Sequence, residues 1–459
     1  MVGVRECTVG GWSRGTVAIP LTTDEEGSAA TYPAGRVPSP FASPLWRNGA
    51  FVRLWTASTI SVFGSLITRM ALPFVAILVL DAGAIEIAAL RSVDLAAALV
   101  FGLVAGAWVD RLRRRPVLIW SDLGRAALLL SVPVAAVLGV MSLGQLFVVG
   151  GLAAVLSTFA DAADNAYLPT VVERERLVEA NGTLAASGSA AEFSAFGISG
   201  FLVQALSAPI AILVDAGTFL VSAVLVGSIR RPEAPPPPRI DREPVLAEIR
   251  AGLRIALGDP MLRAFVLAQM ALSALWGVFG AVWLLFATQE LGLGPVAIGV
   301  IAGVGGLASF GGAVLAERST RRWGVGRVAI AAMLVAALGN LLIPLAPAGA
   351  PLVAVVFLVG QQLVGDSAVT MYEVTETAVR QAFVHDRALG RVASSFHVLA
   401  VLAQLAATIG AGLFAEVAGL RAAAFIAPSA GWSQPPRCGS RRSGRSARCP
   451  RSRCTGRRR

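Results

Sequence analysis

The chain has 459 residues, is 55% hydrophobic and only 15% charged, and has a mean hydropathy of +0.70. Soluble domains carry about 25% charge, so a water-soluble globule of this composition would expose large apolar patches; the natural solvent for this surface is lipid. The net charge of +11 does not call for a nucleic-acid partner, because ten Arg and no Asp or Glu lie in Pro428–Arg459 and the remainder of the chain is close to neutral.

Residues 1–47 are polar and rich in Gly, Pro and Ser, with no compact apolar core and cleavage site. They read as a disordered cytoplasmic leader and not as a signal peptide. Apolar runs long enough to cross a bilayer, which needs roughly 20 residues, then follow in order. Spans 1 to 6 are placed at 52–80, 86–109, 117–140, 143–166, 180–205 and 208–228. Spans 7 to 11 are placed at 263–287, 295–316, 326–346, 351–372 and 392–416. Between the two sets, residues 230–262 form a polar linker containing Pro235–Pro238, a stiff extended spacer. Within it Val245–Leu257 is amphipathic, and either lies along the membrane face or is plain linker.

Arg placement sets orientation. Arg111, Arg113, Arg114 and Arg115 follow span 2, and Arg318, Arg321, Arg322 and Arg327 follow span 8. Further Arg follow spans 4, 6 and 10, and the loops on the other side carry almost none. The Arg-rich side is therefore expected to be cytoplasmic, with the N-terminus inside a multi-pass protein of the cell membrane.

The two sets of spans resemble each other. Asp110-Arg111-x-x-Arg114-Arg115 matches Glu317-Arg318-x-x-Arg321-Arg322 at an offset of 207, and Asp161-x-x-Asp164 matches Glu373-x-x-Glu376 at an offset of 212. At the same offset Glu192 meets Gln404. Several matches in order, in equivalent topological positions, indicate two related six-helix bundles in parallel orientation. The expected domains are 48–229 and 263–427.

The run Gly106-Ala-Trp-Val-Asp110-Arg111-Leu-Arg-Arg114-Arg115 resembles the signature loop of major facilitator transporters. Arg53-Leu-Trp55, Gly64, Ala71-Leu-Pro73, Leu168-Pro169-x-Val-Val172 and Leu389-Gly390-Arg391-Val392 are similar to the subgroup of macrolide-efflux and enterobactin-export proteins. The likeness covers about residues 48–427. It implies an all-α polytopic fold of two pseudo-symmetric bundles and proton-coupled efflux, by antiport, of a small amphipathic compound such as a drug, macrolide or siderophore. The Gly-Pro motif common in span 5 of relatives is absent here, where the chain reads Phe196-Gly197-Ile-Ser-Gly200. The resemblance further implies that Asp110 meets the start of span 11, where an acid suits the helix dipole, and that Arg114 pairs with Asp161 or Asp164. Glu317, Arg321, Glu373 and Glu376 would repeat this in the second half, latching the cytoplasmic side shut. The plainer alternative is that these arginines only fix topology.

Charges inside spans are costly unless paired or facing a cavity. Glu192 lies about 18 Å into span 5 by helical rise, near the midplane, and is the coupling candidate, the alternative being a packed structural Glu. Arg69 and Asp94 lie at similar depth and are expected to pair, with Arg91 competing for Asp94. Asp215 reads as a helix-packing residue. Trp276 and Trp283 either stack on a flat substrate or serve as ordinary packing. The run Gly303–Gly312 lies inside span 8 with no preceding strand, so it is a close-packing stripe and not a nucleotide loop.

Cys7, Cys438, Cys449 and Cys454 lack metal-ligand spacing, and His385 and His397 are the only His. No metal, cofactor or catalytic constellation is expected, so the chain does not read as an enzyme. The expected partners are a small-molecule substrate, protons and the bilayer, with the protein acting as a monomer. A twelfth span should begin near Leu420, yet only Leu420–Ala427 reads as membrane sequence before the composition changes abruptly. A frameshifted tail at 428–459 explains that change; a tail binding anionic lipid or nucleic acid is its rival. The alternative for the whole chain is a non-transporting membrane protein, either a sensor or an inactive truncated carrier.

Overall fold

A computed structural model describes residues 43–109, 111–233, 245–384 and 386–430. Spans 1 to 6 are the helices α1 (Gly49–Val79), α2 (Ala84–Val109), α3 (Arg114–Leu138), α4 (Leu143–Val171), α5 (Leu177–Leu206) and α6 (Ala208–Gly227). The amphipathic stretch is α7 (Val245–Gly258). Span 7 is α8 (Pro260–Leu285), and span 8 is α9 (Pro295–Trp323). Span 9 is α10 (Val325–Asn340) followed by the short α11 (Leu342–Leu345). Span 10 is α12 (Pro351–Gln361), a π-helical turn at Gln362–Asp366, and α13 (Ser367–Phe383). Span 11 is α14 (Asp386–Ala418), and α15 (Leu420–Ala430) follows. Residues 1–42 of the expected leader at 1–47, the Pro235–Pro238 spacer and the tail beyond Ala430 lie outside the described residues; the end of that leader is ordered, Pro44–Arg47 forming a 3-10 turn that buries Leu45 against the first half.

Ten of these helical stretches are long and apolar enough to cross a membrane, and α2, at 26 residues, has matching length. The helices outrun the apolar windows that predict them. α4 continues to Val171, α9 to Trp323 and α13 to Phe383, because an apolar window stops at the first charges whereas Glu and Arg are themselves good helix formers.

Local chemistry sets the helix starts. Asn48 caps α1 by accepting from Ala50 N at 3.1 Å, and its own amide donates to Val171 O at 2.9 Å, tying α1 to the end of α4. Asp259 caps α8 through Met261 N at 2.8 Å, with Pro260 in the first turn. Gly139, at φ 68°, closes α3 in the left-handed conformation that a side chain resists.

The two halves pack alike. α1 lies against α5 and α6, α3 against α4 and α6, and α2 against α4. The repeat maps these pairs onto α8 with α14 and α15, α10 with α13 and α15, and α9 with α13, all of which are in contact. Among the described residues three pairs cross between the halves, α5 with α9, α2 with α14 and α2 with α8, and the repeat exchanges the first two. α7 is a helix seated on α14 and α8, with Ala256 buried among Leu262, Val384, Val392 and Phe396. The approach is close: a Cβ on Gly252 would stand 2.2 Å from Arg391 O.

The apolar core is distributed unevenly along the membrane normal. One cluster joins both halves on the side of the α1–α2 turn, the Arg-poor side, through residues such as Phe74, Ile87, Ile212, Phe286, Ile298 and Ala411. On the Arg-rich side each half has its own cluster, one around Phe51, Tyr167 and Val172 and the other around Leu262, Val392 and Phe396.

Candidate functional site

The seam between the halves is built from backbone contacts that only small residues allow. A Cβ on Gly200 of α5 would lie 2.3 Å from Pro295 O and 3.1 Å from Gly299 Cα on α9. On the exchanged pair, a Cβ on Gly412 of α14 would lie 2.3 Å from the Cβ of Ala88 on α2. Gln204 adds a polar clasp, its Oε1 accepting from Val296 N at 3.1 Å. Deeper in, Phe193 packs against Gly306, where a Cβ would stand 3.3 Å from Phe193 Cα. The glycine run in α9 is thus a close-packing stripe on both faces, since a Cβ on Gly312 would stand 2.2 Å from Ser367 O on α13.

Glu192 is exposed on α5 beside Phe193 and, among the described residues, has no hydrogen-bond or ion-pair partner. Gln404 lies half-buried on α14, with its backbone oxygen under Gly277 of α8; no hydrogen bond joins it to Glu192. Arg69 and Asp94 are exposed, and no ion pair links them; the half-buried Arg91 interacts electrostatically with both. Trp276 is exposed on α8 and meets Phe279 edge-on at 5.6 Å, and Phe279 stacks on Trp283 at 5.1 Å.

Among the described residues the latch residues are not gathered across helices in this conformation. Asp110 lies outside the described residues, Gly106 falls within α2, and Arg111 is exposed in the following turn. Arg114 does not reach Asp161 or Asp164. It faces Glu233, just beyond α6, at 3.6 Å, and Glu233 also accepts from Arg114 N at 2.6 Å and Arg115 N at 3.4 Å. The carboxylate wins because it satisfies free N–H groups at the start of α3 as well as the guanidinium. Arg115 donates to Val226 O at 3.2 Å and to Gly227 O. Asp164 instead accepts from Ser58 at 3.1 Å, and Asp161 is exposed. In the second half the pairs close within single helices. Glu317 pairs with Arg321 at 2.5 Å, both exposed, and Glu376 pairs with Arg380 at 3.4 Å, while Arg318 and Glu373 are exposed. Removing the cap in Glu233→Ala is expected to cost about 1 kcal/mol. Thermal unfolding in detergent, followed by tryptophan fluorescence, checks this, and an unchanged midpoint would show that α3 does not depend on it.

Two polar clusters, one buried and one partly so, go unmarked by the sequence patterns. On α3, Asp122 and Arg125 form an ion pair with side chains only 4% and 6% exposed; Arg125 also reaches Ser157 at 3.3 Å and lies 4.0 Å over the ring of Phe219. On the π turn of span 10, Asp366 gathers with Gln361 and Asn340. The signal that singles out Glu192, an ionisable group within an apolar run, is present at all three charged positions. Asp215, read as a packing residue, is fully buried and accepts from Thr218 at 2.9 Å, in space left by Gly64.

Fold and seam together define a multi-pass, all-helical membrane protein of two like-packed halves that meet on one side. A family model described as Major Facilitator Superfamily matches residues 54–411. The chain belongs to the major facilitator superfamily. It is 29% identical over 236 residues to the multidrug efflux pump Tap of Mycolicibacterium fortuitum, a match covering 50% of this chain and 58% of that protein. It is 23% identical over 394 residues to the MFS-type transporter YfiS of Bacillus subtilis (strain 168), covering 83% and 91%. Among solved structures it resembles the nucleoside transporter NupG, with a TM-score of 0.68 at 13% identity over 83% of this chain and 96% of that one. A bacterial homologue of the iron transporter ferroportin in an inward-facing state gives a TM-score of 0.65 at 18% identity, over 83% of this chain and 97% of that one. These structural likenesses are likenesses of fold.

Proposed function

We propose that this protein is a secondary active transporter of the cell membrane that exports a small amphipathic compound from the cytoplasm by alternating access, driven by protons. The observation that carries this reading is the one-sided core: a single apolar cluster joins the halves on the Arg-poor side, and separate clusters serve each half on the Arg-rich side. With the Arg-rich side cytoplasmic, the described conformation is sealed outside, and the halves can rock apart about the α5–α9 and α2–α14 seams. The absence of cross-helix latch contacts among the described residues is what this state requires. The likeness to Tap supports export. Trp276, with the ladder behind it, suits a flat apolar substrate, and Glu192, an ionisable group at mid-helix without a partner among the described residues, suits a water-filled cavity between the halves.

The test is accumulation of radiolabelled or fluorescent drugs and siderophores in efflux-deficient cells expressing the full chain. Accumulation is expected to fall severalfold for some compound, and a protonophore is expected to restore it. Glu192→Gln should abolish the protonophore-sensitive part with the protein still in the membrane. Unchanged accumulation across the panel would favour a non-transporting membrane protein.

A further inference from the structure

Span 10 is interrupted where lipid-facing helices seldom are. The π turn Gln362–Asp366 sits mid-span, and π-bulges inside helices are found frequently at functional sites. Around it lie Asn340, Gln361 and Gln362, at 5%, 1% and 6% exposure. Gln361 Nε2 donates to Asn340 Oδ1 and to Asp366 Oδ1, each at 3.4 Å; Asn340 Nδ2 donates to Ala336 O at 2.8 Å; Gln362 Nε2 donates to Ile301 O at 3.3 Å. Each of these amide nitrogens is thus engaged, yet Gln361 Oε1 is buried with no partner. The cluster is short of one donor, and it holds a carboxylate.

Nothing nearby neutralises that carboxylate. Among the described residues no Arg comes within ion-pair distance of Asp366, and Glu373, of the same sign, acts on it electrostatically. α12 carries no charged residue. The charged residues of α9 begin at Glu317, about 18 Å along the helix from Gly305, and Arg327 on α10 is about 20 Å from Asn340. Gly305 is bare toward the cluster: a Cβ there would stand 2.8 Å from Asp366 Oδ2 and 2.2 Å from Gln362 Nε2. A neighbouring face of the same stretch of α9 meets α5, where Phe193, next to Glu192 in the chain, packs on Gly306.

We propose that Asp366, with Gln361 and Asn340, forms a site for one monovalent cation, a proton or Na⁺, in the second half of the protein. A single proton on Asp366 removes the uncompensated charge and supplies the missing donor. Na⁺ would answer the same deficit through the same oxygens, since carboxylate and amide carbonyl oxygens are the ligands hard cations take. The role of this site in coupling rests on the carrier reading; its occupancy does not, and can be measured without substrate.

The full-length protein in lipid nanodiscs serves for the test, by infrared difference spectra between acidic and alkaline buffer and by binding of radioactive ²²Na⁺. A proton site gives a carboxylic C=O band that Asp366→Asn removes and Asp81→Asn, in the α1–α2 turn, retains. A sodium site gives saturable ²²Na⁺ binding lost in Asp366→Asn. If Asp366→Asn fails to elute as a folded species, Gln361→Leu decides. Losing its amide partner, Asp366 should show its C=O band shifted to higher frequency, or Na⁺ binding weakened at least tenfold. Finding no band and no ²²Na⁺ binding that depends on Asp366 or Gln361 would overturn the proposal. A loaded site in a protein that moves none of the panel would sink the carrier reading and leave the site standing.

Discussion

Arg125→Leu is expected to destabilise the protein by about 3–5 kcal/mol, the loss that follows when one partner of a buried ion pair is removed and the other is left uncompensated. Arg125 and Asp122 stand one turn apart on α3, with side chains 6% and 4% exposed. The guanidinium also covers Phe219 of α6 at 4.0 Å and reaches Ser157 of α4, so three helices share it. The leucine substitution removes all three contacts and leaves Asp122 buried without a countercharge among the described residues, held by Ser222. Removing both charges in Asp122→Leu/Arg125→Leu should recover much of the loss, because a buried pair is worth little over a well-packed apolar substitute. Folded yield after detergent extraction and the thermal midpoint of the single and double variants measure this. A double variant as unstable as Arg125→Leu would place the stabilisation in the ring and serine contacts and not in the ion pair.

Gly200→Leu is the second large effect expected. A Cβ at this position meets Pro295 O at 2.3 Å, and both parties are backbone, so α5 and α9 must part to admit it. The clasp from Gln204 to Val296 N, one turn further along α5, would be drawn apart with them. Since this seam belongs to the side on which the halves are joined, the substitution acts on closure there and not on the core of either half. A cysteine introduced at Val296 should become reactive to a membrane-impermeant thiol reagent from outside, and transport should fall at least tenfold while the protein remains in the membrane. Unchanged labelling would mean that the seam is not the outer gate. The exchanged position, Gly412 against Ala88, offers a matched second test.

Much of the architecture is legible in the order of residues alone. A run of about 20 apolar residues has one stable state in lipid, because every backbone N–H and C=O must be satisfied within the segment. Span positions therefore follow from composition, and the placements for α1 to α6 lie within a few residues of the observed helices. The repeat is legible from two charged motifs, since charges are rare enough in such a chain for their spacing to stand out. Site residues are harder to read. Glu192 stands out by its depth, yet Asp122, Arg125 and Asp366 carry the same signal without standing out. Asp122 and Arg125 pair locally, as do Asp366 and Gln361, but what buries and surrounds them, Ser157 and Phe219 in one case and Asn340 in the other, comes from other helices.

Arg114 shows the limit most clearly. Motif resemblance places it with Asp161 or Asp164, and in the folded chain Glu233, 119 positions away, takes it while capping α3. Sequence by itself determined the solvent, the number and order of most spans, the pairing of the halves by repeat and the family, because each depends on local apolarity or on motif spacing. Tertiary structure decided that the amphipathic stretch docks on α14 and, among the described residues, that one apolar cluster joins the halves on a single side and that a carboxylate at a π turn is left without a countercharge. Those outcomes are differences in packing and electrostatics between groups distant in the chain, and no single stretch of residues contains both partners.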